Sequence, residues 1–155
     1  MKRLLLMIIL IFPLSCYDGL SDMLDNVTMK VPICVDASAA PGGDGRGWIN
    51  AFQTLQEAVA AAEDGDEIWV AGTQHITSAV TIDKPLSLYG GFSGVESRRV
   101  DERRADFKSD LTLGVSGSSL IITEAGVNID GFVFKDAVSG RAIQLETGAA
   151  AVIKN

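Results

Sequence analysis

Leu120-Ile121-Ile122-Thr123-Glu124-Ala125-Gly126-Val127-Asn128-Ile129 can be set above Ile143-Gln144-Leu145-Glu146-Thr147-Gly148-Ala149-Ala150-Ala151-Val152. Leu120 then meets Ile143, Ile122 meets Leu145, Val127 meets Ala150 and Ile129 meets Val152, at a constant offset of 23 residues. In both copies apolar positions alternate on either side of a short turn, as in half-buried strands whose successive side chains point to opposite faces. Val80-Thr81-Ile82 followed by Leu86-Ser87-Leu88 has the same shape with one residue fewer in the turn. A unit of about 20–25 residues holding several short strands predicts a solenoid whose coils stack on one another.

Further short apolar runs flank the repeat. Ile68-Trp69-Val70, Leu111-Thr112-Leu113 and Phe132-Val133-Phe134 are separated by Gly, Asp, Ser and Lys-Pro breaks, which marks them as strands. One helix precedes them. Thr54 and Glu57 have capping-box spacing, and Leu55, Val59 and Ala62 follow at helical intervals, with Phe52 just ahead. The pattern predicts a helix from Leu55 to Asp64 with Gly65 as its left-handed stop. Phe52, Leu55 and Val59 are its expected core contacts, and Trp48 and Trp69 are expected to pack against it. Before it, Pro41-Gly42-Gly43-Asp44-Gly45 lies in a loop with no Gly-Lys-Ser/Thr, so it is no phosphate cradle. The fold class read from these elements is all-β, a β-solenoid led by one α-helix.

The N-terminus reads as an address. Lys2-Arg3, the apolar run Leu4 to Leu14 and the small residues Ser15-Cys16 form the three zones of a signal peptide. The run falls short of the about 20 apolar residues that span a bilayer. Phe12-Pro13-Leu14-Ser15-Cys16 resembles a bacterial lipoprotein signal, in which the cysteine becomes the lipid-bearing first residue. Pro13 stands where that family has Leu, and Leu14 comes one place late. The resemblance implies lipid attachment at Cys16 and, with Tyr17 rather than Asp next, the outer membrane or cell surface. A periplasmic or secreted protein is the alternative. The organisation expected is a signal peptide over 1–15, a tether over 16–31, and the domain over 32–155.

Composition bounds the partners. The 155 residues carry 13 Lys+Arg against 20 Asp+Glu, a net charge of −7. Loss of Lys2 and Arg3 with the signal would take it to −9. Such an acidic surface repels phosphates, so no nucleic-acid partner is expected. With Cys16 lipidated, Cys34 in Val31-Pro32-Ile33-Cys34-Val35 would be a small buried hydrophobe. Asn26-Val27-Thr28 is a chance sequon.

Three stretches together resemble the N-terminal cap and first coils of bacterial right-handed parallel β-helix surface proteins. They are Val35-Asp36-Ala37-Ser38-Ala39 through Trp69-Val70-Ala71-Gly72-Thr73, Leu88-Tyr89-Gly90-Gly91-Phe92-Ser93-Gly94 with Arg103, and Gly140-Arg141-Ala142-Ile143-Gln144-Leu145. That group is pectin lyase-like and includes relatives of the polymorphic outer-membrane protein repeats. The resemblance covers residues 33–155 and implies the right-handed fold more than any activity. Such folds usually run on for more coils, so a truncated N-terminal piece is expected. Its last coil would leave an open edge prone to self-association.

No chemistry stands out. Asp64-Gly65-Asp66-Glu67 is explained by turn and capping geometry, and the scattered acids fall short of the six to eight oxygens calcium needs. Asp130 and Asp136 with Arg141 form the remaining acid–base candidate. Ser97 to Arg104 mixes signs and reads as a solvated loop with local ion pairs. His75, the single histidine, has no Gly-x-Ser-x-Gly elbow beside it. No catalytic, metal or cofactor residue is therefore assigned. The expected function is non-catalytic adhesion or structural contact at the cell envelope, with carbohydrate or a cell-surface molecule as ligand. The alternatives are the N-terminal part of a polysaccharide lyase or glycoside hydrolase whose site lies beyond Asn155, and a non-functional gene fragment.

Overall fold

The computed structural model of the chain describes residues 30–96, 103, 107–117, 119–138 and 141–154. The expectations for the signal peptide, for Cys16, for all but the last two tether residues, and for the run 97–104 apart from Arg103 fall outside the described residues.

Among the described residues the chain forms eleven strands and one α-helix: β1 (Ile33–Asp36), α1 (Leu55–Ala61), β2 (Glu67–Ala71), β3 (Thr73–His75), β4 (Ala79–Ile82), β5 (Ser87–Phe92), β6 (Ser109–Thr112), β7 (Ser119–Ile122), β8 (Ala125–Asp130), β9 (Phe132–Lys135), β10 (Ile143–Leu145) and β11 (Ala150–Lys154). The architecture is all-β in its bulk, as expected, and the sheets are parallel. One sheet has the order β1-β2-β5-β8-β11, a second β4-β7-β10 and a third β3-β6-β9. From β2 onward the chain visits the five-stranded sheet, then the β3 sheet, then the β4 sheet, and repeats that rotation to β11. Parallel neighbours need a long crossover. Here the crossover is supplied by one strand from each of the other two sheets.

The register stacks like on like. Ile68 pairs with Leu88, Leu88 with Ile129 and Ile129 with Ile153. Val80 and Ile82 pair with Leu120 and Ile122, which pair with Ile143 and Leu145. Ile68, Ile82, Leu88, Leu111, Leu120 and Ile122 are wholly buried in one continuous core. Each such side chain stabilises the fold by about 1.5–3 kcal/mol on leaving water.

Successive returns to the five-stranded sheet take 20, 41 and 24 residues, from Ile68 to Leu88, Ile129 and Ile153. The middle value departs from the expected 20–25 because 16 residues separate the end of β5 at Phe92 from the start of β6 at Ser109. The repeat is also corrected at its second half. Val127 pairs with Ala151 and Ile129 with Ile153, one residue later than the sequence alignment. Ala150 pairs with Ala125 and the next residue, Ala151, with Val127, so the unpaired extra residue is Gly126 of β8. A one-residue slip turns every following side chain to the other face, and in this register Ala151 packs against the core.

α1 is shorter than expected. Thr54 and Glu57 form a reciprocal capping box, with the Thr54 Oγ1 accepting from the Glu57 amide at 3.2 Å. The helix ends at Ala61 because Ala62 turns to extended backbone, and Gly65 at φ 78 belongs to the turn that follows. Lys84 Nζ donates to the Val59 carbonyl at 3.2 Å, so a cation meets an orphan carbonyl of the last turn. Leu55, Ala58, Val59 and Ala62 are buried, while Phe52 is half-buried ahead of the helix. α1 packs on β1, β2 and β4.

The outer edge of β1 is covered by the loop that precedes α1. The Cys34 amide donates to the Gly45 carbonyl at 2.8 Å, Phe52 N–H donates to the Cys34 carbonyl at 2.9 Å, and Asp36 N–H donates to the Phe52 carbonyl at 2.9 Å. The edge of β1 is therefore not bare, and α1 covers the apolar column beside it, while β3 and β4 are the edge strands of the other two sheets.

Candidate functional site

The outward positions of the five-stranded sheet line up as Cys34, Trp69, Tyr89, Asp130 and Lys154, each opposite the next. Alternation makes this row: Val35, Ile68, Val70, Leu88 and Ile129 beside its members face the core. It sets aromatic and charged groups side by side.

The tryptophans do not pack on α1, contrary to expectation. Trp69 stacks on Phe92 with ring centroids 4.6 Å apart and planes 9° apart. Trp48 meets the same Phe92 at 5.7 Å and 45°. The reason is the outward register of Trp69, which places it across the sheet from the helix. Both indoles are hydrogen-bonded: Trp69 Nε1 donates to Glu67 Oε2 at 3.0 Å and Trp48 Nε1 to the Glu96 carbonyl at 2.9 Å. Trp69 and Phe92 are buried, at 1% and 0% exposure, so neither ring offers a face for stacking a sugar. The Glu96 carboxylate gathers the Ser93 amide and hydroxyl, both at 2.8 Å, and the Gly94 and Val95 amides, both at 3.1 Å. Partial burial works to raise its pKa, but those donors together outweigh it and hold the group below the ordinary glutamate value.

Arg103 closes the other part of the row. Its Nη2 is ion-paired to Asp130 Oδ2, its Nη1 reaches the Gly90 carbonyl at 3.4 Å, and its guanidinium lies 5.4 Å over the Tyr89 ring. Arg103, between β5 and β6, is thus held to the sheet through Asp130, Gly90 and Tyr89. Asp130 is therefore paired to Arg103, while Asp136 and Arg141 take part in no ion pair among the described residues. The structure does not assemble Asp130, Asp136 and Arg141 as an acid–base group. Around Asp64-Gly65-Asp66-Glu67, Lys30 Nζ bridges Asp66 Oδ1 at 2.8 Å and the Asp64 carbonyl at 2.6 Å. The Asp66 hydrogen bond holds the Lys30 pKa above its ordinary value. Among the described residues no group of three or more His, Cys, Asp and Glu could hold a metal. His75 is exposed on β3.

Clefts lie near the first end, among them one of about 440 Å³ between α1 and β4 and two beside β1. One, of about 580 Å³, runs beside β1 between Phe52, Arg46 and Asp66. The other, of about 150 Å³, is lined by Cys34, Trp48, Trp69 and Glu96. Cys34 is a free, buried thiol. Burial pushes its pKa up to about 11, against the pull of a Gly47 backbone hydrogen bond. At pH 8 roughly one thiol in a thousand is then thiolate, the reactive form. Alkylation by iodoacetamide at pH 8, followed by mass spectrometry, is expected to leave Cys34 unmodified in the folded chain and to label it fully in urea. Labelling at equal rates would refute the burial.

Two buried polar residues were not legible as such. Ser109 is wholly buried, donates to the Val70 carbonyl at 2.7 Å and accepts from the Gly91 amide at 3.0 Å. Gln74 is 2% exposed and, with its amide correctly oriented, donates to the Gln53 carbonyl and accepts from the Ala37 amide, both at 3.2 Å. The signal was present in principle: Gln74 and Ser109 occupy inward positions of otherwise apolar alternation, where a polar side chain must find partners.

No family model matches the chain, and no curated protein or solved structure is significantly similar to it.

Proposed function

We propose that the chain is a right-handed parallel β-helix exported to the bacterial cell envelope, held there by lipid on Cys16, and used as a non-catalytic contact surface. The observation that carries this reading is the unbroken rotation of β2 to β11 through three parallel sheets, joined to a first end at which the Gly45–Phe52 loop holds the edge of β1 and α1 packs on β1, β2 and β4. Parallel strands joined by crossovers turn right-handed in nearly all cases. Terminal coils of a solenoid need a cap of this kind. The lipid follows from the Leu4-to-Cys16 pattern, and several acyl chains at about 0.8 kcal/mol per buried CH₂ hold a protein stably on a membrane.

Two features support contact over catalysis. Asp130, the acid of the outward row, is paired to Arg103, and Glu67 on the same face accepts from the Trp69 indole. The Trp69 ring in that row is buried. A stiff stack that presents loops suits a carbohydrate or another cell-surface molecule as ligand.

Cell fractionation with labelled palmitate tests the anchor. The wild-type chain is expected to sediment with membranes and carry label, and Cys16→Ser to lose both. A Cys16→Ser chain that still sediments with membranes rejects the anchor. A chain found only in the cytoplasm rejects the whole reading.

A further inference from the structure

The two most exposed large apolar side chains among the described residues are Ile49, at 91%, and Val95, at 83%, and Val31 is exposed at 55%. Aliphatic side chains scattered singly on a surface need no explanation, but these three gather round one place. Val31 lines the cleft of about 150 Å³ together with Arg46, Trp48 and Glu96. Ile49 follows Trp48 in the single 3-10 turn Trp48–Asn50, and Val95 precedes Glu96. The Trp48 indole donates to the Glu96 carbonyl at 2.9 Å, so the two loops are tied side by side. The acids beside them are turned inward. Glu96 spends its carboxylate on the Ser93, Gly94 and Val95 donors, and Asp44 accepts from the Arg46 amide at 3.0 Å. The Arg46 side chain is exposed and takes part in no ion pair among the described residues. The face thus shows water three aliphatic tips, one half-buried tryptophan and a free guanidinium, on a chain that carries −7 overall.

We infer that this face is a membrane-docking surface, on which the domain rests against the phospholipid bilayer that holds its anchor; this rests on the lipid-anchor reading above and adds which face of the domain meets the membrane. Aliphatic tips that leave water for the acyl boundary, a tryptophan at headgroup level and an arginine directed at lipid phosphate are the parts of an interfacial site. Position favours the bilayer over a protein partner. The described chain enters the domain at Lys30 and Val31, so the face lies at the root of the segment that joins Cys16 to the domain. Thirteen residues, 17–29, separate Cys16 from Lys30, and they reach at most about 45 Å when fully extended. A lipid on Cys16 keeps the face within that reach of the bilayer, at a local concentration of roughly millimolar. Three aliphatic side chains and one arginine bind a membrane weakly from free solution, but at that concentration a weak contact is occupied. Lys30 is itself fixed to Asp66 at 2.8 Å, which holds the entry point of the chain beside the face. Docking there sets β1, the first strand of its sheet, toward the bilayer.

Quenching by brominated lipid tests this. The chain is purified from membranes of the expressing bacterium and reconstituted in vesicles of phosphatidylethanolamine and phosphatidylglycerol, with and without bromine on the upper acyl chain. Flotation of the vesicles reports attachment. Quenching of Trp48 reports docking, against the constant background of Trp69, the other tryptophan, which is buried. Trp48 is expected to be quenched. Ile49→Asp combined with Val95→Asp should reduce the quenching at least threefold, roughly the loss of a weak apolar contact, while the chain still floats and keeps a β-rich circular dichroism spectrum. Val138→Asp, at an exposed aliphatic position outside this face, should leave the quenching unchanged. A chain that floats with Trp48 unquenched, or that is quenched equally with and without the two aspartates, overturns the docking face and leaves the anchored β-helix standing. An equal loss in Val138→Asp overturns the face as well. A chain that does not float overturns the anchor and the face together.

Discussion

Ile122→Asp is expected to abolish folding. Ile122 is wholly buried and lies in register between Ile82 below it and Leu145 above it. Loss of the side chain alone leaves a cavity and costs about 2–5 kcal/mol. The carboxylate must in addition leave water with no partner in an all-apolar column, a penalty of several kcal/mol even after it protonates. Together these reach the whole stability of an ordinary domain, about 5–15 kcal/mol. The neighbouring Ile121→Asp is the control. Ile121 faces outward between Thr81 and Gln144 and is only half-buried, so its carboxylate stays wet. Circular dichroism and urea melts are expected to show a native β spectrum for Ile121→Asp and an unfolded chain for Ile122→Asp. Equal behaviour of the two would mean that the inward and outward faces are misassigned.

Gly131→Ala is expected to destabilise the chain by about 3–5 kcal/mol, far more than one methyl group ordinarily does. Gly131 joins β8 to β9, and at φ 81 it adopts a left-handed backbone that costs a side chain about 1–2 kcal/mol. An added Cβ would also stand 2.6 Å from the Gly90 carbonyl oxygen and 2.8 Å from Arg103 Nη1. The approach is mutual, because a Cβ on Gly90 would stand 2.3 Å from the Gly131 carbonyl oxygen. Successive layers meet backbone to backbone at this corner, and neither can retreat. The Gly131 carbonyl accepts from the Ser109 amide at 3.0 Å, and Ser109 in turn ties Val70 and Gly91. Gly148→Ala is the comparison, since Gly148 has a similar φ of 92 but nothing within 4 Å of its Cβ position. It should cost only the left-handed penalty. Chemical denaturation of both variants checks the difference, and equal midpoints would remove the steric argument.

The repeat was legible because burial imposes a period of two on any half-buried strand, and stacking like on like imposes a constant offset. Leu120 and Ile122 over Ile143 and Leu145 were read in the register that the structure has. The capping box was legible for a similar reason: its chemistry is local, and Thr54 and Glu57 satisfy each other. The shift at Ala150/Ala151 was not legible. In a run of three alanines every register buries the same small side chain, so no pattern distinguishes them. The contact of Trp69 with Phe92 was missed because it joins residues from two layers across the outward face, where apolar content follows no period.

The amino-acid sequence by itself determined that this protein is built from short parallel-stacking strands behind one capped helix, because alternation, turns and capping are each decided within a few residues. Only the tertiary structure decided which corners are tight and where Arg103 is held. Arg103 reaches Asp130 across 27 positions, and Gly90 meets Gly131 only after a full turn of three sheets. Such meetings depend on the length of every intervening corner. Corner length is set by packing of the layers against each other, which no local pattern in the chain records.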